Sequence, residues 1–362
     1  MRDRTPRRVV LEDVSWTGDG RPLRLTTDVS ASEWDDFVTS HPDASAYHDW
    51  AWRDIIEQAF GHETLYLAAR RDGRLCGVLP LVVFDSWLFG RFLVSLPFVN
   101  YGGTLADSPD TGSALVDRAA RFAEAEFAAY VELRHRGRRF PSLPARTHKV
   151  AMTRSLPDSR ESAWLGLDRK ARNQIREAER SGLTVERGGR ERLHQFYAVF
   201  AHNMRDLGTP VYSRRFFDAI LSRLPDRASC VIVSLEGTPV AAAVTLRHRD
   251  TVEVPWASAL KQARATCPNH LLYWTIISDA IAAGVRRLDF GRSSPDSGTY
   301  RFKQQWGAEP EPLHWEYALA PGQGLPDLAP SNPRLGLAIS AWKQLPLRVA
   351  TLVGPHIVRS IP

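Results

Sequence analysis

The order of predicted elements repeats along the chain, and this repeat limits the possible folds more than any other feature. In each half, two helices are followed by a hairpin of apolar runs, another helix and a strand. The hairpins turn at Asp72-Gly73 and Glu236-Gly237, dipeptides that favour tight turns between strands. Ser30 and Glu33 form a capping-box pattern at the start of the first helix. The repeat predicts a duplicated α/β domain, with two unrelated α/β domains as the alternative.

The length of the chain, 362 residues, accommodates two domains of this kind. A composition of 43% hydrophobic and 24% charged residues is typical of soluble globular proteins. Stretches rich in proline and charge separate the apolar segments, and they predict domain boundaries. We predict one domain at 1–150, a second at 151–325, and a basic amphipathic tail at 326–362.

Charge and cysteine content indicate a cytoplasmic protein. The formal net charge of +6 is compatible with anionic partners but is too small to indicate a nucleic-acid-binding tail. The three cysteines lie far apart without CxxC spacing, so we expect reduced thiols. Neither a secretory signal nor an apolar run long enough to span a membrane is seen. The segment 331–362 can either lie on the inner face of an anionic membrane or pack back on the protein.

The stretch from Arg287 to Gly307 has the strongest functional signal. A strand end leads into a glycine-rich polar loop and then into a short segment with aromatic and basic residues. Such loops at strand ends often carry binding and catalytic groups. The candidate site residues in this stretch are Asp289, Arg292, Ser293, Tyr300, Lys303 and Trp306. The alternative is a surface loop closed by aromatic side chains.

Basic residues also follow one face of a predicted helix near residue 170. Arg169, Arg172, Arg176 and Arg180 can bind a diphosphate-linked precursor or the backbone of tRNA, or they can form a solvated face balanced by Glu177 and Glu179. Asn269 is placed to cap the next long helix, and Asn100 and Tyr101 lie in a loop that can contact a sugar or a base. We predict no metal site, because no Cys/His/Asp cluster has metal spacing.

Several of these strings, taken in order, resemble the FemAB family of peptidoglycan bridge-type aminoacyltransferases, including its exosortase (PEP-CTERM)-associated branch. The strings are DFGRS at Asp289–Ser293, GTYRFKQQWG at Gly298–Gly307, KARNQIREAERSGL at Lys170–Leu183, NHLLYW at Asn269–Trp274 and PFVNYGG at Pro97–Gly103. The resemblance implies an α/β (α+β) fold of two tandem GNAT-like acyltransferase domains with central mixed sheets. The repeated order of elements agrees with it.

The resemblance also implies roles for individual residues. Lys303 matches the lysine of the family's FK motif, which lies in the active-site groove, and we expect it to stabilise an oxyanion or a phosphate. From its position at a strand end facing the loop, Asp289 is the candidate general base. The alternative is a structural role, bonded to the backbone of the following turn or paired with Arg292, and we favour it because the resemblance implies no dependence on one protein base. Lys170, Arg172 and Arg176 match the family's KxRxxIRxA pattern, which favours binding over a merely solvated face.

The expected donor is an aminoacyl-tRNA, and no cofactor is expected. Coenzyme A-dependent GNAT domains usually carry a Q/R-x-x-G-x-G/A loop that holds the pyrophosphate, and the corresponding stretch KQARATCPNH has no glycine. The predicted function is transfer of an acyl or aminoacyl group to an amine of an anionic cell-envelope glycan or peptide precursor. The alternatives are a coenzyme A-dependent N-acyltransferase and a non-catalytic membrane-surface scaffold for exopolysaccharide assembly.

Overall fold

The computed structural model describes residues 11–16, 18, 20–87, 89–326 and 339–361. The chain forms two compact units. The first unit contains the described parts of Met1–Thr147, Pro312–Asp327 and Arg359–Pro362, and the second contains those of His148–Glu311 and Leu328–Val358.

The first unit consists of a twisted sheet and three α-helices among its described residues. Its elements are β1 (Glu12–Trp16), β2 (Pro22–Thr26), α1 (Ala31–Ser40), α2 (Ala51–Phe60), β3 (Glu63–Arg71), β4 (Arg74–Ser86), β5 (Gly90–Val94), β6 (Leu105–Ala106), α3 (Pro109–Ala125), β7 (Tyr130–His135), β8 (Ala145–Arg146) and β16 (His314–Leu319). The strand order is β1-β2-β3-β4-β5-β7-β16-β8, and β6 pairs with β4.

The two faces of this sheet are covered by different helices. Leu115, Ala119 and Phe122 of α3 pack with the alternate residues of the strands that face them. Trp34 of α1 and Trp52 of α2 are buried on the other face, and their indole nitrogens donate to the carbonyl oxygens of His48 and Ala46. The indole nitrogens of these two tryptophans are therefore paired.

The second unit has the same general plan. Its elements are β9 (Val150–Ser155), α4 (Arg160–Leu165), α5 (Arg169–Arg180), β10 (Leu183–Gly188), α6 (Leu193–Leu207), α7 (Arg214–Arg223), β11 (Ala228–Leu235), β12 (Thr238–His248), β13 (Thr251–Ala259), α8 (Pro268–Ala282), β14 (Arg287–Ser293), α9 (Gly298–Gln304), β15 (Glu309–Pro312) and α10 (Leu347–Val358). The strand order is β10-β11-β12-β13-β14-β9-β15.

The core of the second unit also has two sides. On one side, Ala171 and Ile175 of α5 and Leu272 of α8 pack against the sheet. On the other side, Phe217 of α7 meets Trp256 of β13 with the two rings perpendicular and their centroids 5.3 Å apart. Ala171, Ile175 and Ala178 are the buried residues of α5, so the apolar face of this basic helix is turned inward.

Most predicted elements are present close to their expected positions. The capping box at Ser30 and Glu33 is formed, and both predicted hairpins turn where expected. Asn269 does not cap α8, because the N-cap residue is Cys267 and Pro268 occupies the first helical position. That correction removes the structural role predicted for Asn269.

The division into units differs from the predicted boundaries 1–150, 151–325 and 326–362. β16 lies within the predicted second domain but pairs with β7 and β8 of the first unit. Residues 339–343 are helical, and Pro346 separates them from α10. The sequence pattern places Leu335 and Ala338 on the apolar face of the predicted amphipathic tail, and both lie outside the described residues. Within the described part of the chain, no helix combines the length and apolarity needed to cross a membrane.

Candidate functional site

The candidate site lies where two parallel strands of the second unit separate. The parallel pairing of β13 with β14 is short: Thr251–Glu253 of β13 pair with Arg287–Asp289 of β14. Beyond these residues β13 continues along β12, while β14 follows β9 with a register shift between Asp289 and Arg292. The shift marks a β-bulge, a feature that often accompanies active sites. The polar loop predicted from the sequence leaves the sheet at this point.

Lys303 of α9 is directed at the end of β14. Its Nζ donates to the carbonyl oxygens of Gly291 and Arg292, each at 3.0 Å, and the side chain is 7% exposed. Burial lowers the pKa of Lys303 to about 8, although Asp289 and Glu253 act in the opposite direction. The solvated surface position that was the alternative for this lysine is therefore wrong.

Asp289 is fully buried beside this lysine. Its Oδ1 accepts a hydrogen bond of 2.7 Å from the backbone nitrogen of Gly291. Gly291 has φ +75, a conformation that favours glycine. The contact is the turn-stabilising bond that the sequence analysis favoured, and the role of general base stays a prediction.

A further lysine, which the sequence analysis missed, joins the site. Lys149 Nζ donates to Ser294 Oγ at 2.7 Å, and burial together with the nearby charge of Arg292 lowers its pKa. Ser293 is buried, and its Oγ has no hydrogen-bond partner among the described residues. Lysine, arginine and hydroxyl donors at one strand end can bind an oxyanion.

The basic helix α5 adjoins this region through the start of α8. The charge of Lys170 acts on His270 of α8, whose pKa is lowered to about 4, mainly by burial. Arg176 lies over the ring of Trp164 at 5.3 Å. Lys170 and Arg176 are exposed and Arg172 is partly exposed, so the predicted stripe faces solvent.

Of the aromatic candidates in this stretch, one is accessible and one is not. Tyr300 is partly exposed and lies in the first turn of α9, where the side chain of the N-cap residue Ser297 accepts a hydrogen bond from its backbone nitrogen. Trp306 is fully buried and its ring stacks on His270 with centroids 5.8 Å apart. The indole of Trp306 has no exposed surface and packs in the core of the second unit, and its predicted contact with a substrate stays a prediction. Asn269 is partly exposed on the first turn of α8.

Asn100 and Tyr101 belong to the interior of the first unit. They are 5% and 4% exposed, and Asn100 Nδ2 donates to the hydroxyl of Tyr47 at 3.4 Å. The rings of Tyr101 and Tyr47 meet edge to face at 5.1 Å. Both side chains are enclosed in the core of the first unit, and their predicted contact with a sugar or base stays a prediction.

The first unit has its own pair of diverging parallel strands. In the parallel pair β5 and β7, Leu93 pairs with Val131 and Val94 pairs with Glu132. Glu132 is fully buried and binds Arg134 at 2.7 Å. A buried acid thus occupies the last paired position in both units, at Glu132 and at Asp289.

Comparison with known families and structures identifies this architecture. Residues 167–304 match the family model described as "Acetyltransferase (GNAT) domain". A comparison with curated proteins found no match. The crystal structure of FemX is 17% identical, with a TM-score of 0.65, and the match covers 80% of this chain and 96% of FemX.

Two further solved structures are similar over most of the chain. The C-terminal domain of a candidate lysylphosphatidylglycerol synthetase from Agrobacterium fabrum is 13% identical with a TM-score of 0.55, covering 86% of this chain and 94% of that one. A tandem GNAT protein from the clavulanic acid biosynthesis pathway is 13% identical with a TM-score of 0.51, covering 88% and 100%. The chain therefore has a mixed α/β fold of two tandem GNAT-like units, and its residues 167–304 match the GNAT acetyltransferase domain model.

Proposed function

We propose that this protein transfers an acyl or aminoacyl group to an amine of an anionic cell-envelope precursor, as FemAB-like enzymes do. The observation that carries the proposal is the buried ammonium of Lys303, held at the point where β13 and β14 separate within the GNAT domain. A cation fixed in a desolvated position stabilises negative charge that develops during a reaction more strongly than one in water.

Acyl transfer to an amine passes through a tetrahedral oxyanion. An ammonium has three N–H donors, and the backbone contacts of Lys303 use two of them within the described structure. In the proposal the third donates to the oxyanion as it forms. Collapse of the intermediate expels the donor's leaving oxygen or sulfur, and the attacking amine loses its proton to water or to a neighbouring base. Asp289 is the candidate for that base, although its Oδ1 already accepts a hydrogen bond from the backbone nitrogen of Gly291.

The start of α8 supports an aminoacyl-tRNA donor over coenzyme A. In a coenzyme A-dependent GNAT domain, backbone amides at this helix N-terminus hold the pyrophosphate. Here Pro268 has no N–H, and the amides of Cys267 and His270 already donate to Arg264 and Cys267. Few amides of this turn therefore remain for a pyrophosphate within the described structure.

The acceptor suggested by the site is anionic. Lys149, Arg292 and the buried hydroxyl of Ser293 lie at the same strand end as Lys303, and Arg172 and Arg176 of α5 extend the positive surface. One structurally similar protein is named as a candidate lysylphosphatidylglycerol synthetase, a name that describes the joining of a lysyl group to a lipid. This name supports aminoacyl transfer to an envelope component.

The test is equilibrium binding and single-turnover transfer with purified protein. Charged tRNA and acetyl-CoA are offered separately at low and physiological salt, with Lys303→Met as the variant and the exposed Lys343→Met as the matched control. We expect binding of charged tRNA, and a loss of transfer of at least about 100-fold in Lys303→Met. Lys343→Met should transfer normally. Tight binding of acetyl-CoA with no binding of charged tRNA would overturn the choice of donor.

A coenzyme A-dependent N-acyltransferase is the second candidate, favoured by the acetyltransferase description of the family model. It predicts saturable acetyl-CoA binding in the same experiment. The hypothesis of a non-catalytic scaffold predicts that neither charged tRNA nor acetyl-CoA binds, and that Lys303→Met leaves the cellular function unchanged. The three hypotheses therefore give different outcomes in one set of measurements.

A further inference from the structure

Helix α10 has two apolar faces, and only one of them is buried. Ala350, Gly354 and Val358 follow each other at four-residue spacing and are the buried residues of this helix. A Cβ added at Gly354 would lie 2.7 Å from both the backbone nitrogen and the carbonyl oxygen of Val211. The absence of a side chain at Gly354 allows the helix to pack directly on the backbone that follows α6.

The opposite face carries aliphatic side chains into solvent. Leu352 is 71% exposed, and Val349 and Val353 are each 39% exposed. These three residues lie at spacings of one, three and four, so they form one patch on the helix surface. The packing of the second unit does not require apolar residues at these positions, since the buried face is formed by others.

The charges around this patch are positive. Arg348 and His356 are exposed on the same helix, and no aspartate or glutamate occurs after Asp327 in the sequence. On α6, against which this part of the chain packs, Asp206 is paired with Arg205 at 2.7 Å. An apolar helical face flanked by basic residues is complementary to an anionic bilayer, since the aliphatic groups enter the interface while the cations contact phosphate.

We propose that the outward face of α10, formed by Val349, Leu352 and Val353 with Arg348 at its edge, docks on the surface of an anionic lipid bilayer. Binding is peripheral and reversible, because the apolar patch is small. The proposal does not rest on the proposed function, because membrane binding is measured without any donor or acceptor.

The experiment is co-sedimentation of the full chain with vesicles of phosphatidylcholine alone and of phosphatidylcholine with phosphatidylglycerol. We expect binding to the anionic vesicles that weakens as salt rises. Leu352→Glu should reduce the apparent affinity at least about tenfold, because it removes an inserted side chain and adds repulsion. Arg348→Gln should reduce it less and lower the salt dependence.

Leu165→Glu is the matched control. Leu165 ends α4 in the same unit and is 72% exposed, against 71% for Leu352, so the same substitution is made at an equally exposed leucine. The affinity of Leu165→Glu for the anionic vesicles should stay within about twofold of that of the wild type. Equal losses in both variants, or no binding by the wild type, would overturn the proposal. A dimer seen by sedimentation velocity that Leu352→Glu dissociates would also overturn it, by assigning the face to a second copy of this chain.

Discussion

Lys303 combines a buried position with a charge that depends on pH near neutrality. Burial disfavours its ammonium form, and the carboxylates of Asp289 and Glu253 recover part of that cost. The resulting pKa of about 8 lies well below the ordinary value for lysine. Lys303 is therefore protonated below about pH 8 and becomes neutral above it, so its ability to stabilise an oxyanion is lost as pH rises.

We expect the rate of transfer to fall as pH rises through about 8 in the wild type. In Lys303→Arg the fall should move to higher pH, because a guanidinium stays protonated, although its planar shape will lower the maximum rate. The measurement is kcat against pH for both proteins, with a stability check at each pH. An identical high-pH decline in the two profiles would assign that decline to another group.

Single residues differ in how far their sequence context reveals them. Lys303 was found because it lies within a long recognisable string. Lys149 was missed, because its contact with Ser294 depends on the pairing of β9 with β14, which are far apart in sequence. The burial of Trp306 and Tyr101 was also missed, because the residues that enclose them lie on other elements and the sequence does not show these contacts.

Helix caps and turns were predictable where their physics is local. The Ser30–Glu33 capping box and the hairpin at Asp72-Gly73 need only residues that are neighbours in the chain. The cap of α8 was mispredicted, although the signal was present: Pro268 is favoured at the first helical position, which moves the cap to Cys267. Proline was therefore the more reliable guide than asparagine at this helix start.

The packing of α10 gives a prediction about glycine. Replacing Gly354 with alanine should destabilise the second unit by roughly 1–3 kcal/mol, because the added methyl group meets the backbone of Val211. This overpacking should exceed the gain in helix propensity, about 1 kcal/mol. Thermal unfolding and hydrogen exchange of residues 347–358 measure the effect.

Gly112 of α3 is the control for this substitution. Its added Cβ would lie 3.5 Å from the ring of Phe140, an ordinary contact, so Gly112→Ala should be neutral or stabilising by up to about 1 kcal/mol. If Gly354→Ala behaved like Gly112→Ala, the close approach of α10 to Val211 would not occur in solution.

The two units repeat one arrangement in detail. Each has a short parallel strand pair that ends at a fully buried acid, and each acid lies near a buried cation. In the first unit the pair is Glu132 and Arg134, and in the second it is Asp289 and Lys303. The repeat favours the duplication inferred from the sequence over two unrelated domains. The cations differ: Arg134 is a guanidinium, whereas Lys303 is an ammonium whose pKa is lowered to about 8 by burial, so the catalytic proposal falls on the second unit.

The connectivity of the chain leads to a prediction about folding. The sequence placed a domain at 1–150, because long-range strand pairing leaves no local signal. In the structure β16 covers the edge of β7, and the buried Glu316 accepts from His135 and from the backbone nitrogen of Phe140. A fragment of residues 1–147 lacks this strand and exposes that edge, so it should not fold cooperatively.

Adding β16 back should restore folding without the second unit. Arg146 pairs directly with Trp315, so a Gly/Ser linker of about four residues can join Thr147 to residues 312–326 as a hairpin. Circular dichroism and the dispersion of NMR amide signals compare this fusion with the fragment 1–147. We expect a cooperative unfolding transition in the fusion alone. A well-folded fragment 1–147 would show that β16 adds to a completed sheet, and an unfolded fusion would show that the first unit depends on the second for its stability.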